Sequence, residues 1–148
     1  MSRNDQIYTI TMKSQHITLP KTVVRKWHEI DVSKQPLGRV STQIANLLRG
    51  KGKRDFTPHM DMGDFVVAVN AGHLKFTGRK VSQKLYFRHS GYLGGIKQTA
   101  LKDLLPKNPE EVLKKAVFSM LDDVRFRKTM MSRLKISKDD KHTYKIDK

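Results

Sequence analysis

Residues 22–32 are rich in β-branched and aromatic side chains, and His28, Ile30 and Val32 alternate with polar neighbours as a half-buried strand does. Pro36 then stands where a helix accepts its first residue. Val40, Ile44, Leu47 and Leu48 recur at i, i+4, i+7 and i+8 before Gly50 ends the run. This spacing predicts a helix that hides one stripe and shows Arg39, Gln43 and Arg49. Phe65–Val69 is apolar throughout, the pattern of a central parallel strand covered above and below. Strand, helix, strand reads as a βαβ unit.

Residues 74–77 and 81–89 read as further short extended pieces, punctuated by Gly72 and Gly78. Asn108-Pro109-Glu110-Glu111 opens a second long helix with a capping side chain, a first-turn proline and two carboxylates at its positive end. Val112, Leu113, Ala116, Val117, Met120 and Leu121 supply its core face. A last helix is expected over 124–133, running into an edge strand at Leu134–Ile136. No internal repeat and no second domain is visible. Residues 1–21 read as an N-terminal extension ordered on binding, 22–136 as the domain and 137–148 as a basic polar tail.

Charge changes this picture more than length does. The 148 residues suit one domain that buries about 70 % of its unfolded surface. They carry 30 Lys and Arg against 14 Asp and Glu, a net charge of +16. Residues 65–102 contain no Asp or Glu, yet hold seven Lys or Arg and the glycine cluster Gly91, Gly94 and Gly95. Unopposed positive charge repels itself until a polyanion neutralises it, and nucleic acid is the commonest one. The chain has no cysteine, which excludes disulfides and thiolate metal sites and fits a reducing compartment, the cytosol by default. No apolar stretch approaches the roughly 20 residues that span a bilayer. The start lacks the order of a secretory signal, and residues 1–11, with one Arg and with Asp5, give a transit peptide little support.

Arg49-Gly50-Lys51-Gly52-Lys53-Arg54 places four cations in six residues behind the first helix, with glycines that let the backbone approach phosphates. A helix C-terminus favours one or two of these charges by itself, not four. In residues 84–89, alternation puts Lys84, Tyr86 and Arg88 on one face of a strand and Leu85, Phe87 and His89 on the other. Rings and Arg planes stack on unpaired bases while Lys and Arg track the backbone. Leu85 and Phe87 are expected in the core, whereas Tyr86 and Tyr92 divide between core and base contact. His59, Asp61 and Asp64 raise a metal reading, but Pro58, Gly63 and two Asp also describe a turn before a strand. A dinucleotide fingerprint would need three spaced glycines after the first strand, where only Gly38 stands, and no Walker-type loop is present. No residues speak for catalysis; a free-standing RNA chaperone or general nucleic-acid-binding protein is the alternative to a fixed RNA site.

Trp27 and Asp31, Leu37-Gly38-Arg39, Leu48-Arg49-Gly50-Lys51, Thr57-Pro58-His59, Gly63-Asp64, Asn70-Ala71, Thr77-Gly78 with Lys80, His89-Ser90-Gly91-Tyr92 and Gly94-Gly95-Ile96-Lys97 follow one another in a familiar order. Over about residues 12–136 the chain resembles the bacterial-type family of large ribosomal subunit protein thirteen. That resemblance implies a three-layer α/β/α domain with a four-stranded parallel sheet in the order 3-2-1-4. It also implies a cytoplasmic, structural ribosomal protein that binds large-subunit rRNA early in assembly, beside neighbouring large-subunit proteins. Neither catalysis, cofactor, metal, small-molecule substrate nor membrane is implied. On this basis Arg49, Lys51, Lys53, Arg54, Lys80, Lys84, Tyr86, Arg88, His89, Ser90, Gly91, Gly94, Gly95 and Lys97 face rRNA, and Arg39 joins them from the first helix. Glycines suit such a surface because a side chain would hold the backbone away from the phosphates.

Two departures from the family pattern stand out. After Met120-Leu121 the family carries a proline and a glycine-containing turn with another proline. This chain has Asp122-Asp123-Val124-Arg125-Phe126-Arg127-Lys128, where Arg125, Arg127 and Lys128 offer the charge in another shape. The second departure is the extension of about eleven residues before Met12.

Overall fold

Val66, Val67, Ala68 and Val69 are each at most 1 % exposed, so the strand they form must be covered on both faces and paired on both edges. The computed structural model describes residues 23–122, 125–144 and 146, and places this strand, β2 (Phe65–Val69), between β1 (Trp27–Asp31) and β5 (Leu134–Ile136), with both pairings parallel. Register aligns Ile30 with Ala68 and Ala68 with Ile136, so the three strands turn matching apolar positions to one side. The proposed extension at 1–21, and the start of the last expected helix at Val124, lie outside the described residues.

The helices follow from spacing and termini. In α1 (Leu37–Arg49) the buried positions Leu37, Val40, Ile44 and Leu48 repeat every three or four residues and meet Val66 and Ala68 of β2. Pro36 flanks the helix in an extended conformation rather than starting it, and Gly50, at φ 80°, closes it in the left-handed region. There its N–H donates to the carbonyls of Asn46 and Leu47 at 2.9 and 3.1 Å. In α4 (Pro109–Met120) the Asn108 side chain accepts the Glu111 N–H at 3.3 Å, and Val112, Leu113 and Val117 pack against α1. Met120, expected in this core, is half exposed.

Among the described residues the sheet has three parallel strands in the order β1-β2-β5, beside a separate antiparallel pair, and not the expected four in the order 3-2-1-4. Among the described residues, one isolated parallel bridge follows β1, between Pro36 and Lys75. Leu37 N–H donates to Lys75 O at 2.9 Å, but Pro36 has no donor and α1 begins at once, so no ladder grows. The expected extended piece at 81–89 also splits. Lys80–Gln83 forms one helical turn, α2, and Leu85–His89 forms β3, which pairs with β4 (Ile96–Ala100) as a hairpin. A short helix, α3 (Leu101–Lys107), links β4 to α4, and α5 (Arg127–Ser132) precedes β5.

Val67 and Val69 point away from the helices. On that side Trp27 stacks on Phe65 with centroids 4.4 Å apart and on Tyr144 at 5.4 Å, while His142 approaches Glu29 at 3.6 Å. Residues 137–144, expected as a tail, therefore pack on the sheet. Ser137 N–H donates to Ala68 O at 2.8 Å, and the carbonyls of Ser137, Lys138 and Asp139 accept from Ala71, Gly72 and Asn70.

Candidate nucleic-acid interface

The hairpin tip is built by its glycines. Gly91 and Gly94 sit at φ 93° and 72°, where a Cβ is strained, and a Cβ on Gly95 would overlap the Ser90 hydroxyl. Ser90 N–H donates to Gly95 O at 3.0 Å, and Gly95 N–H to Tyr92 O at 2.9 Å, which fixes the turn. Gly91 N–H donates to His89 Nδ1 at 2.9 Å, so in the neutral ring the proton resides on Nε2 and faces outward as a donor.

Register then sets Arg88 directly opposite Lys97. Like charges across a strand pair repel, and residues 65–102 contain no carboxylate to separate them. Arg88, His89, Ser90 and Lys97 line an open recess of about 320 Å³. Two cations, a ring N–H and a hydroxyl around one hollow are a donor set for phosphate oxygens.

The two faces of β3 are inverted relative to expectation. Leu85 and Phe87, expected in the core, are exposed, Phe87 by 66 %. Tyr86 instead packs on the core edge, its ring between Lys84 Nζ at 5.2 Å and Lys115 Nζ at 4.9 Å. Burial, with Glu111 adding to it, pushes the Tyr86 phenol above its ordinary value. Alternation defines two faces but not which one meets the body. Here Leu101, fully buried just after β4, decides it by pulling the base of the hairpin inward, and its N–H donates to Lys84 O at 2.9 Å. Tyr92, 80 % exposed, and Leu93 project from the tip.

The loop behind α1 is divided between structure and surface. Arg49, expected to show, is only 7 % exposed, its Nη1 2.9 Å from an Asp122 carboxylate oxygen. Lys53 is also tied inward, 2.5 Å from Asp64 and donating to Val24 O at 2.8 Å. Lys51 and Arg54 remain exposed. Arg39 is exposed on α1, and Lys80 and Lys84 line a separate recess with Lys75 and Phe76. Arg125 and Lys128 are exposed on the approach to and within α5, whereas Arg127 is held over the Phe118 ring at 3.8 Å. The expected cations thus line several recesses, and at the hairpin tip Arg88 and Lys97 stand together with the side chains of His89 and Ser90.

Asp61 and Asp64, two members of the candidate metal triplet, are committed to cations. Asp61 receives Arg133 through both terminal nitrogens, at 2.6 and 2.5 Å, and Arg133 also donates to Leu48 O at 3.2 Å. Asp64 accepts from Lys26 N–H at 3.0 Å and lies 3.2 Å from His28 Nε2. Sequence reasoning missed Lys114, Lys115 and Phe118. Their signal is the spacing of Glu111, Lys115 and Phe118 at i, i+4 and i+7, on the side of α4 away from Val112 and Leu113.

The family profile described as Ribosomal protein L13 matches residues 25–143, which spans every element above. The chain is 46 % identical over 129 residues to large ribosomal subunit protein uL13 of Nitratidesulfovibrio vulgaris, covering 87 % of this chain and 90 % of that one. It is 47 % identical over 133 residues to the protein of the same name from Clostridioides difficile, covering 90 % and 92 %. With the Roseiflexus castenholzii protein of that name, identity is 48 % over 122 residues, covering 82 % and 84 %. The chain belongs to the ribosomal protein L13 family, whose members are structural, non-enzymatic proteins of the large ribosomal subunit.

Proposed function

We propose that this chain is held in the large subunit of the cytoplasmic ribosome by direct binding to large-subunit rRNA, and that it joins early in assembly. The observation that carries this reading is the Arg88–Lys97 pair, two like charges in register on a hairpin without a carboxylate, around a recess rimmed by His89 and Ser90. Such a site is at its lowest energy when phosphate oxygens lie between the cations. Lys51 and Arg54 extend the same chemistry to the loop behind α1, and the opposite hairpin face, with Phe87 and Ile96 exposed, suits a neighbouring large-subunit protein. The early step rests on the family resemblance.

The test is crosslinking in a lysate with sequencing of the attached RNA, beside sedimentation of an Arg88→Glu, Lys97→Glu double variant. Sharp crosslinks within large-subunit rRNA, and a folded variant lost from the large-subunit fraction, are expected. Crosslinks scattered over many transcripts would replace this reading with that of an RNA chaperone.

A further inference from the structure

Helices α4 and α5 enclose a groove of about 720 Å³ lined by Glu111, Lys114, Lys115, Phe118, Lys128 and Met131, with Ser132 at its end. Its floor is apolar and its rim is basic. Phe118 is 43 % exposed, although it is a large aromatic side chain on a helix whose other face supplies the core. The Arg127 guanidinium lies 3.8 Å from the Phe118 ring centroid and is anchored there, its Nε and Nη2 donating to Phe118 O at 3.2 and 2.6 Å. The ring and the guanidinium therefore form a fixed two-layer stack at the groove. Among the described residues the groove has one carboxylate, Glu111, 2.8 Å from Lys115, which leaves Lys114 and Lys128 as the net charge of the described rim.

We propose that this groove binds a single-stranded segment of RNA, with an unpaired base added to the Phe118–Arg127 stack and the flanking phosphates on Lys114 and Lys128. The inference rests on the RNA-binding reading above but concerns a different element and a different form of RNA. A base has a flat face that an aromatic ring and an Arg plane both accept, whereas a duplex keeps its bases stacked on one another and offers phosphates alone. Charge selects the occupant. A neutral apolar protein segment would use Phe118 and Met131 but leave the two lysines without a partner, while RNA satisfies floor and rim together. Lys115 joins the groove to the hairpin, since its Nζ also lies over Tyr86, so one strand could pass from the stack toward the Arg88–Lys97 recess.

The test uses the full chain, a fluorescein-labelled ten-nucleotide oligouridylate, and an RNA hairpin whose stem carries a similar number of phosphates. Phe118→Leu, which keeps an apolar side chain but removes the ring, should weaken oligouridylate binding at least about fivefold, the smallest effect expected for one stacked base. It should leave hairpin binding unchanged, and Phe118→Tyr should restore the affinity. Lys128→Gln should flatten the salt dependence for the single strand by about 0.7. Thermal unfolding confirms that each variant is folded. Unchanged oligouridylate affinity in Phe118→Leu would overturn the groove proposal while duplex binding continued to support the hairpin site. The same result together with loss from large subunits would give the groove to a protein neighbour. Failure of the unaltered chain to bind either RNA would overturn both readings.

Discussion

Gly63 has no room for a methyl group, because a Cβ there would overlap the Leu48 carbonyl and stand 2.7 Å from the Arg133 guanidinium. The close approach lets Asp64 N–H donate to Leu47 O at 3.1 Å, which seats the 61–64 loop on the end of α1. Gly63→Ala should therefore destabilise the chain toward the upper end of the ~1–3 kcal/mol seen for overpacking, read as a fall in melting temperature. Asp64 carries a second prediction at this scale. Burial pushes its carboxyl up, but hydrogen bonds from Lys53, the Lys26 N–H and His28 outweigh that and hold it below the ordinary value of 3.8. A group depressed in the folded state contributes stability that is complete above its unfolded pKa and is lost as pH falls through the folded one. Melting temperature should thus drop with acidification below about pH 4. Asp64→Asn should be less stable at neutral pH and show a shallower drop, with the remainder supplied by Asp31, which the Ser33 hydroxyl lowers in the same direction. An unaltered acid profile in Asp64→Asn would show that this carboxylate is not a source of the pH dependence. At this scale the sequence misleads where charge is buried. Arg49 and Lys53 look like surface cations because their partners, Asp122 and Asp64, stand 73 and 11 positions further on.

Among the elements, the hairpin separates stability from binding most cleanly. Lys97→Glu converts a repulsive cross-strand pair into an attractive one, worth about 0.2–1 kcal/mol in favour of the free hairpin. The variant should melt no lower than the unaltered chain and yet lose affinity for a large-subunit rRNA fragment. A lower melting temperature would mean that Lys97 supports the fold rather than the RNA site. Periodicity made α1, β2 and α4 legible in advance because their apolar stripes are long and regular. It did not reveal β4 or α3. Ile96–Ala100 carries two small or apolar residues too few to alternate visibly, and Leu101–Lys107 holds Pro106, a residue that argues against a helix when read alone.

For the molecule as a whole, the net charge of +16 makes any RNA affinity steeply dependent on salt. Changing the exposed Lys51, Arg54, Arg88 and Lys97 together to Gln should reduce the slope of log affinity against log salt by about 3 to 4, at 0.7–0.9 per phosphate contact. Arg133→Gln should instead leave the slope unchanged and cost roughly 3 kcal/mol, since Arg133 is 3 % exposed and its loss leaves the Asp61 carboxylate with the longer Arg25 contact at 3.8 Å in place of a bidentate pair. Salt titration with parallel thermal melts distinguishes the two kinds of cation. Equal slopes in the fourfold variant and the unaltered chain would remove these four positions from the interface.

The sequence by itself determined the net positive charge, the strand at Phe65–Val69, the two long helices α1 and α4, and the glycine cluster at Gly91, Gly94 and Gly95. These are properties of composition and of local spacing, and they survive without knowledge of the fold. Only the tertiary structure decided which cations face outward, which side of β3 meets the body, that Arg88 and Lys97 stand in register, and that Tyr144 closes the second face of the sheet. Each depends on residues distant in the chain coming together, through an ion pair, a strand register or an aromatic stack, and no local pattern encodes a partner that arrives from elsewhere.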